Sequence, residues 1–321
     1  MYMFKYICKR IGLMLMTFMI IFVTCFVLIK MLPIDTSSLG VGEDPEKLKA
    51  LLKARGYDKP ILEQLFLYMK RIFLHGDFGI GVTMPSFVGR PVWDTFVTML
   101  PPTILINVYS SLLAIPIGIA LGILAALKKN KWQDHTISTT VMVFISVPSF
   151  VYASLLLYIV CFKWNLLPKG MMAGYDYFTW PMFKSMLPAV FSLSFGSIAG
   201  YARFTRAELT EVLTSEFMLL ARTKGLTKYQ ATVRHALRNS MVPIFPSIIG
   251  EFISVLSGSL IIEKIFQIPG VGGLYLSAIT AKDYDFFMML SGFYLLVSLV
   301  AALVIDLSYG IIDPRIRMGA K

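Results

Sequence analysis

Long uncharged runs constrain this chain before any other feature does. Residues 11–29, 95–127, 135–162, 185–202 and 286–305 contain no Asp, Glu, Lys or Arg, and 239–262 contains only Glu251. A helix rises ~1.5 Å per residue, so about 20 residues cross ~30 Å of hydrocarbon. Each run holds one crossing, and even the 33-residue run is too short for two. Backbone groups in lipid must be satisfied within their own segment, which makes these runs helices. The expected fold is an all-α integral membrane protein with six transmembrane helices. The first span falls within residues 1–32, and the others near 98–127, 136–162, 186–203, 241–262 and 286–311. With 56% hydrophobic residues and a mean hydropathy of +0.70, a water-soluble globule is excluded. Lys5, Lys9 and Arg10 precede the first run as they would in a signal peptide. Its 19 uncharged residues exceed the usual core of ~7–15, and no small-x-small cleavage site follows, so it reads as a retained span.

Orientation follows from the short connections. The N-terminus carries Lys5, Lys9 and Arg10, the 128–135 connection Lys128, Lys129 and Lys131, and the tail Arg315, Arg317 and Lys321. Residues 203–238 hold seven cations against three acids, whereas 163–184 holds three Lys and 263–285 two. Cations favour the cytoplasmic side. Both termini are therefore expected in the cytosol, in a multi-pass protein of the cytoplasmic membrane. The net charge of +11 is then topological, and a nucleic-acid partner is not expected.

Residues 33–94 form an expected extracytoplasmic helical segment between the first and second spans. "DPEKLKALLKARGY" (44–57) has a capped start and stops at Gly56. "PILEQLFLYMKRIF" (60–73) is amphipathic and suits either the outer membrane face or the other helices. Residues 95–312 make the transmembrane core, with a cytosolic loop at 204–240, and 313–321 the cytosolic tail.

Catalytic patterns are missing. There is no Gly-Lys dipeptide, hence no Walker A loop, and neither HExxH nor GxSxG occurs. His75, His135 and His235 lie far apart, and Cys8, Cys25 and Cys161 show no CxxC spacing. No catalytic residue, metal site or cofactor is expected in this chain. Glu251, about eight residues into the fifth run, is the exceptional charge; Ser247, Glu251, Ser254 and Gly258 share one helix face at spacings of 4, 3 and 4. A mid-membrane charge costs at least ~2.5–3.5 kcal/mol and faces a bundle interior or a water-filled cavity. Two readings stand: a polar stripe lining a translocation path, or a small-residue packing face with Glu251 protonated or paired.

The cationic segment before that run is also patterned. From about Ser215 to Tyr229 the residues favour helix, apart from Gly225. Ala221 and Gly225 are four apart, on a face open to close approach, flanked by Arg222, Lys224 and Lys228. Such a helix suits docking into a groove of another protein; the alternative is an interfacial helix on anionic headgroups.

"ARTKGLT…RHALRN" resembles the EAA loop of ABC-importer permeases, E-A-A-x-x-x-G-x9-I-x-L-P. Ala221, Gly225 and Leu237 match that pattern, while Leu219, Leu220, His235 and Arg238 depart from it as the peptide/nickel branch does. "LPIDT" (32–36, with Pro33 and Asp35 matching), "GYDKP" (56–60), "HGDFG" (75–79), "RPVWDT" (90–95), "IEKIFQIPGVGGL" (262–274) and "DLSYGIIDPRIR" (306–317) resemble that branch's other landmarks in order. The chain is similar to the B-type permease subunit of dipeptide, oligopeptide and nickel importers.

The resemblance implies a second, homologous permease chain, two ATP-binding cassette ATPases carrying ATP and Mg, and an extracytoplasmic substrate-binding protein, in a bacterial or archaeal membrane. It implies a coupling helix at about Leu219–Tyr229, with Ala221, Arg222, Lys224, Gly225, Leu226, His235, Leu237 and Arg238 engaging the ATPases. Glu251 stands where the branch usually has a neutral residue. The expected cargo is a peptide, with nickel, a metal chelate or a small glycoside as alternatives within the branch. An ion-coupled secondary transporter is the rival of another class.

Overall fold

The computed structural model describes residues 2–32, 53, 56–172 and 176–312. The turn at Pro33 and Asp35, most of the 44–57 helix and the tail from 313 lie outside the described residues. Among those described there is no β-strand, only isolated bridges pairing Ile80 with Pro91 and Gly81 with Val88. The expected all-α architecture is the one observed.

Among the described residues, five helices are long and apolar enough to cross a bilayer: Tyr6–Met31, Val92–Leu127, Trp180–Leu213, Lys228–Ser257 and Tyr284–Gly310. The remaining expected span, 136–162, is not a straight crossing. It is broken into Trp132–Ser146 and Ser149–Lys163, bent by 99°. The cause is local. Pro148 restricts the residue before it, and Val147 is extended at φ −87°, ψ 126°. Counting charge-free residues gave that proline no weight. The fifth span also ends early, because Gly258 leaves the helix at φ +62°, so an end near 262 is corrected to Ser257.

We number the helices α1 (Tyr2–Met31), α2 (Ile61–His75), α3 (Val92–Leu127), α4 (Trp132–Ser146), α5 (Ser149–Leu156, extended by a π-helical turn to Lys163) and α6 (Trp180–Leu213). There follow α7 (Glu216–Thr223), α8 (Lys228–Ala231), a π-helical turn over Thr232–Ala236, α9 (Leu237–Ser254), α10 (Leu260–Ile265), α11 (Val271–Thr280) and α12 (Tyr284–Ile312). The chain divides into two compact units, residues 1–103 with 269–300, and 104–268 with 301–321.

The first unit is organised by two carboxylates at the start of α12. Asp283, fully buried, accepts the Val82 and Thr83 amides at 2.7 and 2.9 Å, and its other oxygen accepts the Phe286 amide at 3.4 Å. Asp285 accepts the Tyr57 hydroxyl at 2.9 Å and the Ile80 amide at 3.3 Å. Burial and then the Asp285 charge push the Tyr57 phenol well above its usual range, so it remains a neutral donor. Gly79 explains "HGDFG": its φ is +100°, and a Cβ there would lie 2.1 Å from Asp285 Oδ2. Val92, Phe96, Leu274, Phe286 and Leu290 form the apolar core beneath.

In the second unit α3 meets α6 along a glycine seam. A Cβ on Gly118 would lie 2.6 Å from Tyr201 Cβ, and one on Gly122 2.6 Å from Thr205 Cβ; such spacing lets helices approach closely in a membrane. Asp134 at the start of α4 takes a bidentate grip from Arg206 of α6, at 2.5 and 2.8 Å. Ile106, Met186, Ile262 and Phe266 centre a second core.

Asp283→Ala orphans the buried Val82 and Thr83 amides. At about 1–3 kcal/mol per unmade buried donor, we expect a loss of roughly 2–6 kcal/mol in the first unit. Faster hydrogen exchange at those two amides, with a lowered thermal midpoint, checks it; unchanged exchange refutes the clamp.

Candidate coupling surface and membrane-embedded polar row

The cationic segment is built from two short helices separated by a designed stop. After α6 ends at Leu213, α7 runs from Glu216 to Thr223. Gly225 then turns left-handed at φ +89°. Its amide donates to Arg222 O at 3.0 Å and the Leu226 amide donates to Ala221 O at 3.3 Å, the two bonds of a Schellman termination. Thr227 and Gln230 restart the chain with reciprocal capping bonds of 3.1 and 3.2 Å. The expected single helix from Leu219 to Tyr229 is thereby corrected. Gly225 lies outside the helix and cannot share a face with Ala221.

Ala221 is corrected as well. It is 9% exposed and turned into its own chain, where Met218, Ala231 and Ala236 join Ala126 of α3 and Leu209 of α6. Leu226 and Leu237 are packed against the same cluster. Six expected contact residues thus divide by environment: Ala221, Leu226 and Leu237 anchor the segment, while Arg222, Lys224 and Arg238 are exposed. His235 is exposed within the π-helical turn, and Gly225 is exposed at the stop.

The outward face also holds what the pattern reading passed over. Leu219 and Leu220 are 64% and 55% exposed, and Phe217 of α7 and Tyr229 of α8 are also exposed. The available signal was the pair of leucines standing where the general loop has Glu and Ala. This surface is apolar, rimmed by cations, and fixed to the ends of two long helices. A surface of this character suits docking onto another protein.

The polar row keeps three of its four members. Ser247, Glu251 and Ser254 lie on α9, whereas Gly258 follows the helix and is removed from that face. Glu251 Oε1 accepts the Ser197 hydroxyl at 3.0 Å, and Ser247 O accepts the Tyr201 hydroxyl at 3.2 Å. Ser197 and Tyr201 are one turn apart on α6, opposite two positions one turn apart on α9. The Ser254 hydroxyl donates back to Glu251 O at 2.8 Å, and Ser254 is exposed. Glu251 is thus half-buried and hydrogen-bonded at one oxygen, in a seam between α6 and α9. Neither α6 partner was identifiable from the α9 spacing alone.

A helical membrane component is the class defined by this fold, and comparison with known proteins gives its family. Residues 118–318 match the model described as binding-protein-dependent transport system inner membrane component. Residues 3–107 match the N-terminal model of such membrane components. The chain belongs to the family of binding-protein-dependent transport system inner membrane components. It is 35% identical to the dipeptide transport system permease protein of Lactococcus lactis subsp. cremoris, over 98% of this chain and 100% of that one. Its identity to the dipeptide transport system permease protein of Bacillus subtilis is 32%, covering 99% and 100%, and to the glutathione transport system permease protein of Escherichia coli 31%, covering 98% and 99%. Among solved structures, an amino acid ABC transporter chain shares the fold at a TM-score of 0.50 and 18% identity, covering 68% of this chain and 94% of that one.

Because nothing lies within 4 Å of a Cβ built on Gly225, substitution there acts through backbone conformation. Gly225→Val forces a β-branched residue into the left-handed region, at about 1–2 kcal/mol. Protection of the Leu226 amide from hydrogen exchange should fall roughly 5–30-fold. Gly225→Asn, which tolerates that conformation, should change it little. Equal protection in the two variants would remove the assigned role.

Proposed function

We propose that this protein is the permease subunit of an ATP-driven importer of dipeptides or other short peptides, forming half of the translocation pathway. It is a transport component and a multi-pass membrane protein. The observation that carries the reading is near full-length similarity to peptide and glutathione permeases in a chain whose α7 exposes Leu219 and Leu220 while Met218 and Ala221 lock it to α3 and α6.

In this reading the chain lies in a bacterial or archaeal cytoplasmic membrane with both termini inside. A homologous permease completes the path. Two ATPases bind ATP and Mg and seat α7 in a groove, and an extracytoplasmic binding protein delivers the peptide. Closure of the ATPases draws on α7, and the anchor residues pass that displacement to the inner ends of α3 and α6. Cargo shifts the inward–outward equilibrium only through unequal affinity for the two states. Ser247, Glu251 and Ser254 border the path where the α6–α9 seam meets it.

Proteoliposomes containing the two permeases and the ATPases should accumulate labelled dipeptide only with ATP at the ATPase side and binding protein at the other. Leu219→Asp together with Leu220→Asp should lower uptake at least tenfold while membrane insertion continues. Uptake driven by a proton gradient without the ATPases would overturn the reading in favour of a secondary transporter. Binding-protein-dependent uptake of nickel but not peptide would overturn the cargo alone.

A further inference from the structure

Helix α2 has 15 residues, about 22 Å at ~1.5 Å per residue, which is short of a ~30 Å crossing. Its position against α1 fixes its depth. Tyr68, 2% exposed, has its ring 6.3 Å from Phe22 and 5.8 Å from Phe26. Ile61, Leu65, Met69 and Ile72 are packed around the same cluster. Phe26 and Phe22 precede Lys30 by four and eight residues, so they lie ~6 and ~12 Å below it along the helix axis. Lys30 marks the polar end of α1, its ammonium 3.4 Å from the Tyr57 ring centroid and 4.3 Å from that of Tyr284. Helix α2 is therefore level with a part of α1 that is uncharged from residue 11 to 29, rather than above it.

The rotation of α2 agrees with that depth. Leu62, Phe66, Met69 and Phe73 recur at spacings of 4, 3 and 4, a single stripe. Leu62, Phe66 and Phe73 are 74%, 67% and 77% exposed. Arg71 projects about 180° from Leu62 at 3.6 residues per turn and acts electrostatically on both Lys30 and Tyr57. Arg71 thus turns toward the polar end of α1 and Leu62 the opposite way, while the exposed Glu63 and Lys70 border the stripe on one side. Helix α1 also leaves apolar residues uncovered, Ile20 and Leu28 among them.

We propose that α2 lies embedded in one membrane leaflet, with Leu62, Phe66 and Phe73 seated among lipid acyl chains. The leaflet holding the Lys30 end of α1 is the outer one if the orientation proposed above holds; contact with lipid does not depend on it.

Spin labels at Phe66→Cys, Phe73→Cys and Leu62→Cys, with Cys8, Cys25 and Cys161 replaced by Ala, test this in the complete transporter reconstituted in bilayers. We expect collision with dissolved oxygen to exceed collision with an aqueous nickel chelate severalfold at all three sites. The order should reverse at Lys59→Cys, the exposed residue before α2. Greater access to the nickel chelate at 62, 66 and 73 would place the stripe in water and overturn the proposal. Low access to both reagents would show a protein covering it, overturning the proposal equally. A transporter that fails to move peptide but gives the expected collisions would leave this inference standing and refute the cargo.

Discussion

A peptide group inside hydrocarbon has no water to bond to, and the architecture follows from that single restriction. Four of the six long apolar runs, 11–29, 95–127, 185–202 and 286–305, close their N–H and C=O groups within one helix. Interruptions of the ladder therefore carry information. Pro148 breaks the third run with a 99° bend, and Gly258 ends the fifth at φ +62°. Proline at positions 243 and 246 leaves α9 helical by contrast, directly after a π-helical turn at Thr232–Ala236. The number of crossings is set by apolar length, but their shape is set by where a residue refuses the helix.

The same economy governs polar groups beyond the spans. Asp283 and Asp285 gather backbone amides of residues 80–83 that have few ladder partners of their own. A buried carboxylate is tolerable when several donors converge on it, and buried amides are tolerable when an acceptor is supplied. Each answers the other's requirement. Asp134 and Arg206 do likewise in the second unit, where the forked guanidinium matches both carboxylate oxygens.

The helical class and five of the six expected spans were legible in the sequence because they depend on sums over many residues. Apolar length and cation bias survive errors at any one position. What failed depended on single backbone torsions. Ala221 and Gly225 stand four apart, which is a shared face only if the helix continues through Gly225. The left-handed torsion ends it first, and Ala221 turns inward to Met218 and Leu209. Gly258 was misplaced on α9 for the same reason. Asp134 with Arg206, and Gly118 with Tyr201, were illegible for another cause: each joins residues about 70 to 80 positions apart, which no local period reports.

Anchored and exposed residues alternate along the cationic segment, and that alternation has a mechanical consequence. A flexible loop gripped by a motor would extend before it moved anything. Here Met218, Ala221, Ala231 and Ala236 are buried against Ala126 and Leu209. Displacing the exposed face of α7 without displacing α3 and α6 means opening that packing, at roughly 25 cal/mol per Å² of apolar surface exposed. Gly225 ends α7 and the Thr227 box starts α8, so the junction between the two helices is held by hydrogen bonds rather than frayed. Stiffness at this joint comes from alanine and from a helix that stops on time, and the leucines outside it remain free for a partner.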